Sequence, residues 1–229
     1  QLKKLGFQGI DLVIINFYPF KKTTEKSKNH KKVIENIDIG GPSMVRAAAK
    51  NYNFVTVITN TNQYDDLINE LKNYNGSTSL NFRKRMSEEA FYETGYYDSL
   101  IANYFSNFSN NYYPKKKLIH GKLISKLRYG ENPHQSSSIY SIDDKHGLKQ
   151  LGGKRLSFNN YNDIFAALNI SKSFPNGKGA VIVKHSNPCG VSINIDKLKS
   201  YKLALSCDPI SAFGGIVSLN FKVTKKIAI

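Results

Sequence analysis

Apolar residues run almost unbroken over positions 12–17 (LVIINF) and again over 54–58 (FVTVI) and 179–183 (GAVIV). The first predicts a strand buried on both faces of a parallel sheet, and the other two predict buried strands. The first ends at Tyr18-Pro19, where proline stops a central strand. Between the first two lies a polar connecting stretch, 21–32, followed by the Gly40-Gly41-Pro42-Ser43 turn and an alanine-rich helix over 44–50, with Pro42 or Ser43 placed to start it. Amphipathic spacing predicts a helix over 63–74, and a long helical region over 80–108 with an interruption near Gly95. The pattern then breaks at 109–117 into Asn, Tyr, Pro and Lys, a candidate linker.

A second alternation follows. Strands are predicted at 138–142, 179–184 and 215–219, and helices at 161–173 and 197–207. Alternating strands and helices imply α/β layers, here as two unequal domains at 1–117 and 118–229. The chain has no initiating Met, and its last residues look like a helix just beginning, which suggests a piece from the middle of a longer protein.

Composition changes this picture little, except for charge. The 33 Lys and Arg against 17 Asp and Glu give a formal +16 over 229 residues. Such a surplus admits a nucleic-acid or membrane partner. The basic clusters at 21–22, 31–32 and 115–117, however, sit in polar segments without interleaved aromatics. A lysine-biased composition plus a phosphate-bearing small ligand accounts for the charge better, so neither nucleic acid nor membrane is expected as a partner. No apolar run approaches the ~20 residues of a bilayer span, and no signal peptide opens the chain. Two cysteines, Cys189 and Cys207, make no disulfide framework, so a reducing cytoplasm is expected.

Four stretches could carry chemistry. Asn16 and Tyr18 close the first strand, where open parallel sheets face their ligands. Asp38 precedes Gly40-Gly41 and a helix bearing Arg46 and Lys50 on one face; its carboxylate either acts on a polar substrate or caps the helix, while the helix N-terminus favours an anion. LRYGENPHQ (127–135) combines Arg128, a fork of donors for phosphate or carboxylate, with Tyr129, a ring to stack on a base. The fourth, Lys184-His185-Ser186-Asn187-Pro188-Cys189-Gly190, follows a buried strand. An imidazole is the natural proton shuttle near neutrality, and a neighbouring Lys could stabilise developing negative charge. Adjacent strand residues face opposite sides, so the strand must end or bulge for Lys184 and His185 to share a site, and Asn187-Pro188 with Gly190 supply a turn signal just there. The zinc-deaminase signature is incomplete: Pro188-Cys189 lacks its second cysteine and no His-x-Glu occurs, so no metal is expected.

Five stretches in order (DLVIINFYPF, ENIDIGGPSMVRAAAKN, LRYGENPHQ, VIVKHSNPCGV and DPISAFGGIV) resemble the bifunctional AICAR transformylase/IMP cyclohydrolase family, and they cover the chain nearly end to end. The resemblance implies a Rossmann-like, methylglyoxal-synthase-like cyclohydrolase domain followed by the start of a cytidine-deaminase-like α/β transformylase domain. It implies formyl transfer from 10-formyltetrahydrofolate, a co-substrate, to AICAR, then dehydrative closure of formyl-AICAR to IMP. Tyr18, Asp38 and Lys50 match cyclohydrolase site residues, with the Gly40 and Gly41 amides and Lys50 at a developing oxyanion. In the transformylase, Lys184 and His185 match the proton-shuttling pair. Arg128, Tyr129, Asn187, Phe213 and Gly214 match substrate contacts. A homodimer is implied, and the early phosphate loop and later folate contacts are absent, so little activity is expected of the piece alone. The rivals are a basic nucleic-acid-binding module and an inactive relic of the enzyme.

Overall fold

The computed structural model describes residues 2–142 and 147–228, with the backbone alone at residues 2 and 3. The chain divides into two compact units, Gln1–His120 and Gly121–Ile229, just past the 109–117 linker read from the sequence. Both are mixed α/β.

In the first unit, β1 (Leu12–Ile14) leads to α1 (Phe20–Lys26), α2 (His30–Glu35) and α3 (Gly40–Lys50), then β2 (Thr56–Ile58), α4 (Tyr64–Asn73) and α5 (Leu80–Phe108). β1 and β2 pair in parallel, Leu12 opposite Thr56 and Ile14 opposite Ile58. A core of Val45, Ala49, Val57, Ile58, Met86 and Ala90 fills the space between α3, β2 and α5.

Four expectations need correction. β1 is three residues long, and Leu12 and Ile14 are 37% and 46% exposed, because among the described residues only β2 flanks it. β2 is likewise short, starting at Thr56 and leaving Phe54 exposed. The polar stretch 21–32 lies largely in α1 and α2: one buried residue on each, Phe20 and Val33, packs with Tyr97 of α5, and that is sufficient to dock them. α5 runs through Gly95 without a break, since tertiary packing on Met86, Ala90 and Tyr97 outweighs the ~1 kcal/mol a helical glycine costs.

The second unit opens with an antiparallel pair, β3 (Lys122–Lys126) and β4 (Ser138–Ser141). The alternation of β3 is too weak to have been read from the sequence. Next come α6 (Phe158–Lys172), β5 (Gly179–Lys184), β6 (Asn187–Ile193), α7 (Lys197–Cys207), α8 (Pro209–Ala212), β7 (Ile216–Leu219) and α9 (Lys225–Ala228). The strand order is β6-β5-β7, with both neighbours antiparallel to β5. Five of the six β5 residues are buried, Val181 and Val183 against α6 and Ala180 and Ile182 against α7. α6 begins at Phe158, three residues before the predicted start, because Ser157 and Asn160 form a capping box.

Candidate functional site

In the first unit, Asp38 sits just before α3. Its Oδ1 accepts the Gly41 N–H at 2.7 Å and its Oδ2 the Tyr18 N–H at 3.4 Å. The helix therefore begins at Gly40, ahead of Pro42 and Ser43, with Asp38 satisfying one of its first amides. A side chain at Gly41 would collide with that carboxylate, its Cβ falling 2.5 Å from Oδ2, which is why the close approach uses glycine. The sequence resemblance matched Gly41 to an oxyanion donor; its amide is instead committed to Asp38. Asp38 itself is positioned by Tyr97 of α5. The Tyr97 hydroxyl accepts the Asp38 N–H at 2.8 Å and donates to the Asn36 carbonyl at 3.4 Å. Burial pushes the Tyr97 phenol above its ordinary value, and the nearby Asp38 charge adds to this.

Tyr18 and Asp38 thus come together, with Tyr18 exposed. Lys50 does not join them. It ends α3, about 15 Å along the axis from Gly40. Asn16 donates to the Tyr64 hydroxyl at 3.2 Å, and Arg46 lies 5.6 Å from the Phe91 ring centre.

In the second unit, β5 ends at Lys184 and a two-residue turn, His185-Ser186, reverses the chain into β6. Asn187 and Pro188 open β6 and do not form the turn, contrary to the Asn-Pro signal; β6 is an edge strand, where proline is tolerated. Both turn residues are left-handed, at φ 53° and 61°. The pairing shifts at the next step, Ile182 facing Gly190 and Val183 facing Pro188, so that Cys189 is bulged.

Three contacts fix this corner. Asp163 of α6 accepts the Ser186 N–H at 2.7 Å. The Asn187 amide donates to the His185 carbonyl at 2.9 Å, so its N–H is used to close the turn. The Lys184 ammonium donates to the Phe213 carbonyl at 2.9 Å, next to Gly214 at φ 75°, with the Phe213 ring 85% exposed.

Lys184, His185, Asn187, Pro188 and Cys189 line an open cleft of about 330 Å³ with Asp208 and Ser211. Hydrogen bonds from the Ser211 hydroxyl and backbone hold the Asp208 carboxyl below its usual value. Lys184, His185 and Asp208 thus line the same cleft.

Arg128 and Tyr129 stand at the start of α6. The Tyr129 carbonyl accepts the Phe158 N–H at 3.1 Å, and the Arg128 N–H bonds to Leu156 at 2.9 Å. The guanidinium donates to the Tyr129 hydroxyl at 2.8 Å and lies 4.6 Å from its ring centre, which holds the phenol below its ordinary value. Asp163 lies five residues into the same helix, about 8 Å along it from Phe158. The two predicted motifs of this unit are therefore tied to one helix. Asp163 and Tyr97 were not found from the sequence, because each acts on residues far from it in the chain, and Asp208 drew no notice within its matched stretch. Among the described residues, no group of three His, Cys, Asp or Glu could hold a metal.

The sequence profile of the AICARFT/IMPCHase bienzyme matches residues 48–229. The bifunctional purine biosynthesis protein PurH of Rhizobium rhizogenes is 43% identical over 225 residues, 96% of this chain and 42% of the relative. Those of Brucella anthropi and Mesorhizobium japonicum are each 42% identical, over 99% and 96% of this chain. The crystal structure of ForH aligns at 31% identity with a TM-score of 0.38, over 46% of this chain and 55% of that one, a likeness too low to bear on the fold. This chain spans about 42% of the length of the curated relatives it matches, and it belongs to the AICARFT/IMPCHase bienzyme family.

Proposed function

We propose that the chain is part of an enzyme of purine biosynthesis that formylates AICAR from 10-formyltetrahydrofolate and closes formyl-AICAR to IMP. The observation that carries this reading is the His185 corner, where His185 lines one cleft together with Lys184 and Asp208. In formyl transfer the AICAR amine attacks the formyl carbon, the C–N bond to folate breaks, and the amine's proton passes through His185 to the departing folate nitrogen. Lys184, on the Phe213 carbonyl, supplies positive charge to the developing oxyanion. Arg128 and Tyr129 hold the nucleotide's phosphate and flat ring, while Asn187, Phe213 and Gly214 shape the pocket.

In cyclisation the carboxamide nitrogen attacks the formyl carbon and water leaves. Asp38 takes the amide proton, with Tyr18 and Gly40 against the substrate. Lys50, at the far end of α3, is assigned no step beside Asp38 in the same copy. The first unit is read as methylglyoxal-synthase-like, supported by its parallel pair with packed helices. The second is read as the beginning of a cytidine-deaminase-like domain. A homodimer in the cytoplasm, working without a metal, completes the reading. No described helix is long and apolar enough to cross a membrane.

The test uses the product of the longest open reading frame containing this sequence. His185→Ala should lower formyl transfer by ~10²–10⁴ while leaving the cyclisation of supplied formyl-AICAR intact. Failure of the folded wild type to form IMP from either substrate overturns the reading.

A further inference from the structure

Two consecutive left-handed residues without glycine are an expensive way to turn a hairpin. The two-residue turn that matches strand twist needs φ > 0 at both positions and is ordinarily built from Asn-Gly or Asp-Gly. Here His185 and Ser186 occupy it at φ 53° and 61°. Outside glycine, and to a lesser degree Asn, Asp and His, left-handed backbone is held only where the surroundings over-determine it, so Ser186 is the costlier of the two. Among the described residues, the side chain from outside the hairpin that bonds to a turn residue is the Asp163 carboxylate, 2.7 Å from the Ser186 N–H. Asp163 is 23 residues away, on a helix packed against β5.

We propose that Asp163 is a positioning residue for formyl transfer: it holds the strained turn so that the His185 ring faces the cleft. The inference rests on the functional reading above. It follows from where Asp163 stands. Phe158, at the start of α6, anchors the Tyr129 carbonyl, and Asp163, five residues on, anchors the turn. The helix thereby acts as a spacer, setting the reach between the residues that hold the nucleotide and the imidazole that moves the proton. A spacer of this kind affects the chemical step more than ground-state binding, because small misplacements are felt most in the transition state.

The experiment compares wild type, Asp163→Ala, Asp163→Asn and the double variant Asp163→Ala/Ser186→Gly in the full reading-frame product. Asp163→Ala should lower kcat for formyl transfer at least ~10-fold, with the KM for AICAR and the cyclisation rate within about twofold. Asp163→Asn keeps an oxygen acceptor for the Ser186 N–H and should lose at most a few-fold. Glycine adopts the left-handed turn without strain, so Ser186→Gly should restore part of the kcat lost in Asp163→Ala. Equal damage from Asn and Ala, parallel losses in KM and cyclisation, or no loss from Ala overturns the proposal.

A readout independent of activity is hydrogen exchange at the Ser186 amide, which should be slower in wild type than in Asp163→Ala; equal rates overturn the proposal. If the wild type transfers no formyl group, the functional reading falls, and exchange at Ser186 still decides whether Asp163 holds the turn.

Discussion

The two units place their candidate residues by different means. In the second, β5 is paired on both sides and five of its six residues are buried, so the backbone delivers Lys184 and His185 to the sheet's end. In the first, among the described residues, β1 has β2 alone beside it and is exposed at Leu12 and Ile14. The candidate there, Asp38, is not carried by a strand. It lies between α2 and α3 and is tied down by a tyrosine from α5. Where a sheet is closed on both flanks, register positions a site. Where it is not, a long-range side-chain bond takes over. The first arrangement fails by losing packing, and the second by losing a single hydroxyl.

The largest expected effect comes from breaking the packed unit. A Cβ added at Gly190 would fall inside the van der Waals envelope of the Ala204 carbonyl oxygen, a backbone atom of α7. α7 is held to the sheet by the Ser200 hydroxyl, which donates to the Lys178 carbonyl at 2.7 Å, so it cannot yield cheaply. Gly190→Ala should therefore cost ~3 kcal/mol or more, at the upper end for overpacking. Urea unfolding followed by hydrogen exchange should show the loss confined to 121–229. A loss below ~1 kcal/mol would mean that α7 slides on β6, and that packing does not fix this corner.

In the first unit the corresponding break is Tyr97→Phe. The ring keeps its contacts with Phe17, at 5.1 Å, and Phe20, while the Asp38 N–H and the Asn36 carbonyl lose their partner. The expected cost is ~1–3 kcal/mol, with slower cyclisation and unchanged formyl transfer. The substitution also predicts a pH effect. Burial raises the folded phenol above its ordinary 10.0, so the stability it contributes is complete below that value and is lost as pH rises through the folded one. Denaturant unfolding above pH 10 should therefore show a shallower loss with pH in Tyr97→Phe than in wild type. Equal slopes would mean that burial does not raise the phenol, whereas an unchanged stability at neutral pH would remove Tyr97 as the tie.

The same contrast explains what could be read from the sequence. β5 and α7 fall where the sequence predicts them, β5 because a continuous apolar run is a local signal, and in the structure Asp196 caps α7. The sequence pattern points to a turn at Asn187-Pro188, two residues past the true His185-Ser186 turn, since Asn-Pro is a stronger turn signal than His-Ser and a proline tolerated on an edge strand follows only from strand order. α1 and α2 were invisible because each rests on one buried residue amid lysines. Asp163 and Tyr97 act across 23 and 59 residues, beyond any spacing rule. Local chemistry named the motifs, whereas the side chains that hold them are tertiary.

The smallest expected effect sharpens the comparison by asking whether the first unit's long helix has a face left open. Gly95 lies on the exposed side of α5, and a Cβ there meets nothing within 4 Å. Glycine in a helix is ~1 kcal/mol worse than alanine, partly through the freedom it gives the unfolded chain. Gly95→Ala should therefore raise the stability of 1–120 by ~0.5–1 kcal/mol with both activities unchanged. Thermal unfolding decides the first point and the two assays the second. A stabilisation would mean that α5 tolerates its glycine only because Tyr97 and the core behind it already hold the helix. A loss of stability or cyclisation, in a position with no neighbour inside the unit, would mean that this face of α5 is covered in the working protein. The first unit would then owe its site to an outside contact as well as to Tyr97.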